Sequence, residues 1–384
     1  MRWSEHMSED RIFNCSHYLM GVRLDNWFRL LGRAGWKLDP QRLPQALLIT
    51  ATSLALSPFA LLERIACALP VAATKVEKDP VFILGHWRSG TTYLQNLMSR
   101  DPQFGWADPV GTCTFSNSVL LGRLLRAGVG GSLKNARPMD NVRYTLDLPM
   151  EETFAVANVT PYSIDHMLAF PSHYKSFIPY AFVEDLPAGE RRRWRRSYAL
   201  VVKKLTMLHG GRQMLFKSPD NTARVPELVR LYPDAKFVNI HRDPYATIQS
   251  TIHMFNAQMN MLRLSAMPDI DMDEGLEDVV IGIFERMYKE LFALEPDFRP
   301  GHYVSVSYEQ FTRDPEAGLR GIYNALGLNG FEKALPYFRR FISSQKDYRK
   351  NRFEISNRLR TKINDRLGFY FEHCGYEKIT EETV

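Results

Sequence analysis

Short apolar runs followed by polar turns and then by residues at helical spacing recur along this chain from residue 81 onward. Val81 to Leu84 leads into Gly85-His86-Trp87-Arg88-Ser89-Gly90-Thr91-Thr92, after which Tyr93, Leu94, Leu97 and Met98 follow a helical period. The pattern predicts a strand, a tight loop and a helix. "QMLFKSPDN" at 213–221 predicts a short strand running into Lys217-Ser218-Pro219, and "AKFVNIHRDP" at 235–244 a buried strand ending in a turn. The helical stretch "YATIQSTIHMF" follows that turn, and "HYVSVSYEQF" at 302–311 predicts a further strand. Strands that alternate with helices and end in polar residues imply an α/β fold, a P-loop-like doubly wound parallel sheet flanked by helices. Ligands of such sheets sit at the C-terminal ends of the strands.

Residues 1–75 read as a helical N-terminal extension and 76–384 as one elaborated α/β domain. Within the extension, Gln45 to Leu62 carries no charge but is interrupted by Pro58 and several Ser and Thr, so it falls short of a transmembrane span. Two readings stay open: a helix buried against the core, and a helix lying in a membrane interface. In "GERRRWRRSYALVVKKL" at 189–205, Trp194, Tyr198, Val201 and Leu205 fall on one stripe and the cations around the other side. That is a solvated amphipathic helix rather than a nucleic-acid site.

Composition narrows the classes. Over 384 residues, 45% are hydrophobic and 24% charged, which supplies an ordinary globular core. The formal charge of +6 is spread along the chain, which suits an anionic ligand or a membrane surface and gives no argument for nucleic acid. Cysteines at 15, 67, 113 and 374 form no pair or cluster at metal-ligand spacing, so reduced thiols and no metal are expected. The first forty residues carry charge throughout and lack the short apolar core of a secretory signal, which points to the cytoplasm.

The glycine loop carries the chemistry. Backbone N–H groups and a helix N-terminus face an anion there, with Ser89, Gly90, Thr91 and Thr92 in the turn and Arg88 adding a planar fork. A nucleotide-hydrolysing P-loop places lysine after its second glycine, where this chain has Thr91. The loop therefore suits a 5′-phosphate that needs no metal, and a P-loop kinase or NTPase is the disfavoured alternative.

With "GHWRSGTT", and with Arg242 and Ser250 eight positions apart in "NIHRDPYATIQS", the chain resembles sulfotransferases that use 3′-phosphoadenosine 5′-phosphosulfate (PAPS). The resemblance covers most of residues 80–355. It implies PAPS as cosubstrate with adenosine 3′,5′-bisphosphate as product, and a 5′-phosphosulfate loop at Arg88 to Thr92. It further implies a 3′-phosphate site at Arg242 and Ser250, Tyr308 near the adenine, and Lys350 and Asn351 in a late basic stretch over the nucleotide. Lys217 and Arg88 are expected to face the charge that accumulates during transfer.

The acceptor hydroxyl must lose a proton, and the base candidates are Asp108 in "FGWADP" and the pair Glu151-Glu152 in "DLPMEETF". The bacterial relatives often have an acid where Thr153 stands. His166 and His173 read more readily as hydrogen-bonded packing. The chain's 15 methionines, four of them in "HMFNAQMNMLRLSAM" at 253–267, and the uncharged 45–62 segment favour a hydrophobic hydroxylated acceptor such as a sterol or lipid alcohol. A non-catalytic nucleotide- or lipid-binding protein is the alternative from another class.

Overall fold

The computed structural model describes residues 14, 17–132, 146, 148–268, 272–345 and 355–379; Lys350 and Asn351 lie outside them. The elements that position the site are helices α1 (Leu24–Arg33) and α2 (Leu43–Ala66), strand β1 (Val81–Leu84), helix α3 (Thr91–Met98), strand β2 (Phe104–Trp106), helices α4 (Thr153–Val159) and α5 (Ala188–Leu208), strands β3 (Gln213–Lys217) and β4 (Lys236–His241), helices α6 (Pro244–Leu262) and α7 (Met272–Leu294), and strand β5 (Tyr303–Ser307).

The five strands form one sheet in the order β2-β3-β1-β4-β5, every pair parallel. Phe82 pairs in register with Phe216 on one side and Phe237 on the other, and the three rings stack with centroids 5.9 and 5.6 Å apart. On the opposite face Val81, Ile83, Leu215, Val238 and Ile240 pack on Leu94, Leu97 and Met98 of α3. Burial on both faces is why these strands read as continuous apolar runs rather than alternating ones. β2 gave no such run, because three residues at the sheet edge are too few to show a period.

The chain leaves β1 toward β2 and leaves β4 toward β5, in opposite directions along the sheet. The crevice between the C-terminal ends of these neighbours is therefore the topological switch point, the usual ligand position in open α/β sheets. The loop after β1 and the turn after β4 face each other across it.

Helix α5 buries Trp194, Tyr198, Val201 and Leu205, the stripe expected from the sequence. The methionine-rich stretch is largely core packing: α6 buries Met254, Phe255 and Met259. Helix α2 answers neither N-terminal reading in full. Its buried residues are Gln45, Ala46, Ile49, Ser53 and Glu63, while Leu47, Leu54, Leu61 and Ile65 are 58–67% exposed. Glu63 forms a buried ion pair with Lys204 of α5, and its second oxygen accepts from Val119 N at 3.0 Å and Leu120 N at 2.8 Å.

Candidate active site

Tight backbone geometry builds the loop after β1. Gly85 and Gly90 adopt φ of +138° and +102°, and Arg88, at φ +68°, occupies the left-handed region that non-glycine residues seldom enter. A Cβ on Gly90 would stand 2.3 Å from the Tyr308 ring, and one on Gly85 would meet Ser89 Oγ and Ile240 O, each at 2.6 Å. Gly85 N donates to Thr222 Oγ1 at 2.8 Å and His86 N to the Tyr288 hydroxyl at 3.2 Å. These bonds moor the loop to the segments that follow β3 and to α7. His86 is fully buried, and burial lowers its pKa to about 3, so it is neutral, with Nδ1–H donating to Trp87 O at 3.0 Å.

The loop and the turn after β4 are already joined. Arg88 Nε donates to Ser250 Oγ at 2.9 Å, and Arg242 donates to the Arg88 carbonyl at 3.0 Å. The Arg242 guanidinium lies 4.6 Å from the centroid of Tyr308, whose ring also closes on Gly90. Thus Arg88, Arg242, Ser250, Gly90 and Tyr308 meet at one place. Ser89 Oγ is buried there without a hydrogen-bond partner among the described residues. An orphaned hydroxyl within a cradle that a Cβ would fill fits an anion that supplies the missing acceptor.

Lys217 ends β3, opposite Ile83 of β1, and is buried to 2% exposure, where it forms an ion pair with Glu151. The Glu151 side chain keeps 20% exposure. Its neighbour has a different role. Glu152 is fully buried, accepting from Tyr198 OH at 2.8 Å and Asn221 Nδ2 at 2.5 Å, and burial raises its pKa. Asp108 caps a short helix by accepting from Gly111 N at 2.6 Å and pairs with Arg126. His166 is buried, donating from Nε2 to Thr160 O at 3.2 Å, and burial lowers its pKa to about 4; His173 bonds its neighbour Ser172 at 2.8 Å.

Two acidic residues beside Glu151 were not singled out from the sequence. Thr153 Oγ1 lies 3.1 Å from Asp165 Oδ2 and 3.2 Å from Asp220 Oδ2. Asp220 pairs with the buried Arg224 at 2.6 Å. The available signal was "KSPDNTAR", a polar run directly after an apolar strand, all of it buried. Such a run needs mutual partners, because each unpaired member would cost the desolvation of a polar group.

A parallel sheet with a glycine loop after its first strand and an arginine turn across the switch point is a P-loop-like α/β architecture with its candidate site at that point. The chain belongs to the Sulfotransferase family, whose model matches residues 80–333. It is 29% identical over 364 residues, 94% of this chain and 92% of the relative, to the omega-hydroxy-beta-dihydromenaquinone-9 sulfotransferase Stf3 of Mycobacterium bovis, and equally to that of Mycobacterium tuberculosis. Among solved structures it resembles sulfotransferase STF1 from Mycobacterium tuberculosis H37Rv, with a TM-score of 0.57 at 18% identity over 84% of this chain and 88% of that one. It also resembles STF9 from Mycobacterium avium, with a TM-score of 0.56 at 17% identity over 93% and 97%. The expected fold class is thereby met: the sheet is parallel, flanked by helices, and shared with sulfotransferases.

Proposed function

We propose that this sulfotransferase moves the sulfuryl group of PAPS to the hydroxyl of a membrane-resident lipid alcohol at the cytoplasmic face. The observation that carries the reading is the direct bonding of Arg88 to Ser250 and of Arg242 to the Arg88 carbonyl, which links two anion-binding elements across one crevice. Bound PAPS supplies an activated sulfuryl group with adenosine 3′,5′-bisphosphate as leaving group. The loop amides, Ser89, Thr91 and Thr92 hold its 5′ end and Arg242 with Ser250 the 3′-phosphate. Tyr308 backs both by packing on Gly90 and Arg242, and the resemblance adds Lys350 and Asn351.

Arg88 and Lys217 face the negative charge that grows on the leaving phosphate and the sulfuryl oxygens, so no metal is assigned. Glu151 is the base. It takes the acceptor's proton as the acceptor oxygen bonds sulfur, and the sulfur–phosphate oxygen bond breaks with its electron pair left on the phosphate. Glu151 is the part-exposed carboxylate held at Lys217, whereas Glu152 and Asp108 are engaged by Tyr198, Asn221, Gly111 and Arg126.

The acceptor class draws support from the relative named for an omega-hydroxylated dihydromenaquinone and from the surface of α2. Labelled sulfate from PAPS should enter the lipid fraction of a cell extract without added magnesium. Sulfate esters confined to the saccharide fraction would overturn the acceptor. Failure to bind adenosine 3′,5′-bisphosphate at micromolar concentration would overturn PAPS use, and tight binding without transfer to any alcohol would indicate a binding protein.

We assign the exposed face of α2 to the bilayer surface. Leu47, Leu54 and Leu61 recur every seven residues, Ile65, 66% exposed, continues the stripe, and Leu69, 81% exposed, lies just beyond the end of α2. Leu120, whose N–H donates to Glu63, is 47% exposed, and the exposed cations Lys37, Arg64, Lys75 and Arg123 suit anionic headgroups. The protein should sediment with phosphatidylglycerol vesicles, and replacing Leu47, Leu54 and Leu61 with Ser should abolish that without lowering Tm. Unchanged sedimentation of the triple variant would remove α2 from the contact.

A further inference from the structure

Thr153 directly follows Glu151 and Glu152, and its hydroxyl stands between two carboxyl groups. Thr153 Oγ1 is 3.1 Å from Asp165 Oδ2 and 3.2 Å from Asp220 Oδ2. A hydroxyl has one proton to give. If both carboxyls were ionised, one of these contacts would set oxygen lone pairs against each other inside a buried site, with nothing to offset the cost. The contacts are both satisfied when one carboxyl is neutral and donates its own O–H to Thr153.

The surroundings identify which one. Asp220 Oδ2 also receives Arg224, 2.6 Å away and itself buried, so the negative charge belongs on Asp220. Among the described residues no cation pairs with Asp165: Ser163 Oγ lies 2.8 Å from the same Oδ2 atom. The assignment therefore runs from the Asp165 O–H to Thr153 Oγ1, and from the Thr153 O–H to Asp220 and Arg224. Burial, the Asp220 charge and the Glu151 charge together raise the pKa of Asp165 to about 7, while burial raises that of Asp220 against the opposing pull of Arg224.

The groups around the pair come from every packed element. Glu151 and Glu152 stand just before α4, Lys217 ends β3, and Arg224 closes the segment after β3. His166 is neutral, and the Tyr18 hydroxyl donates to the Asp165 carbonyl at 3.2 Å. Glu151 is the only one of them assigned to the reaction as a proton acceptor, and its charge acts on both members of the pair.

We propose that Asp165 and Asp220 share a single proton through the Thr153 hydroxyl, and that Asp165 is a positioning residue whose charge state sets how readily Glu151 takes the acceptor's proton. The second half rests on reading Glu151 as the base. When Asp165 is neutral, Glu151 is the carboxylate held by Lys217. When Asp165 ionises, a further negative charge nearby favours proton uptake by Glu151. The bond making and breaking of the transfer itself is unchanged.

Two measurements on the full chain test the halves separately. Infrared difference spectra need no turnover: the wild type should show a neutral-carboxyl C=O band at pH 6 that is lost with a midpoint near 7, and Asp165→Asn should lack it. Thr153→Ser should keep the band, and Thr153→Val should shift its midpoint. Absence of the band in the wild type, or its persistence in Asp165→Asn, overturns the shared proton. The pH profile of kcat/KM should carry an inflection near 7 in the wild type that disappears in Asp165→Asn. An inflection retained in Asp165→Asn, with the infrared band behaving as expected, overturns the link to Glu151 alone. Stability supplies a further check on folding. A carboxyl with a raised native pKa makes the native state bind more protons, so wild-type stability should fall as pH rises from the ordinary aspartate range to about 7, and the Asn variant should lose that fall.

Discussion

Glu151→Gln should lower kcat by roughly 10²- to 10⁴-fold while leaving the affinity for adenosine 3′,5′-bisphosphate close to that of the wild type. The substitution keeps the shape of the side chain and a hydrogen-bond acceptor for Lys217, and removes the ability to take a proton. Its partner in sequence provides the contrast. Glu152 is fully buried beneath Tyr198 and Asn221, so a substitution there acts on the packing of α4 and α5 before it reaches the chemistry. Single-turnover kinetics with saturating PAPS would isolate the step. A Glu151→Gln enzyme that retained more than roughly a tenth of wild-type turnover would fall short of general-base magnitudes and remove this residue from the role.

Arg242→Ala should weaken binding of adenosine 3′,5′-bisphosphate by about 1.5 to 3 kcal/mol, the range for hydrogen bonds to charged groups, which is roughly 10- to 150-fold. The loss should exceed that for adenosine 5′-monophosphate, which lacks the 3′-phosphate. Lys217→Ala should divide the other way, depressing kcat more than nucleotide affinity, because charge on the leaving phosphate is greatest in the transition state. Calorimetry with the two nucleotides, together with steady-state rates, distinguishes the cases. Equal losses for both nucleotides in Arg242→Ala would show that it supports the Arg88 carbonyl rather than reading a phosphate, and an unaltered kcat in Lys217→Ala would end its electrostatic role.

What could be read from the sequence follows what leaves a local pattern. Three of the five strands were apolar runs closed by polar turns, because a strand buried on both faces has few polar positions to dilute it, whereas β5, YVSVS, alternates and is only part-buried. Edge strand β2 was too short to register. The loop and the Arg242–Ser250 pair were legible because each lies within a dozen residues, and the backbone of a strand-turn-helix holds such groups together. The direct bonds between them, over 162 and 154 positions of sequence, were not legible. The same limit hid Asp165 and Asp220, which lie 12 and 67 residues from Thr153 and share no periodicity with it. The sequence offered Glu151 and Glu152 as equivalent, and only burial separates them: one meets Lys217 with part of its side chain exposed, the other is enclosed by Tyr198 and Asn221.

The buried ion pair between Glu63 and Lys204 bears on how the enzyme meets its acceptor. It attaches α2, the helix with the leucine stripe, to α5. Six residues earlier on α5, about 9 Å along the axis, Tyr198 holds Glu152, the neighbour of Glu151. Cutting this attachment would strand a charge in the interior at considerable cost, so the leucine-rich surface and the crevice proposed for catalysis are tied together. With α2 resting on a bilayer as proposed, that bilayer would serve as a datum plane, with the proposed base held at a set height from it. Acceptors would be sorted by the depth at which their hydroxyl emerges from the lipid as well as by their shape, a form of selection that no single residue in the crevice could provide.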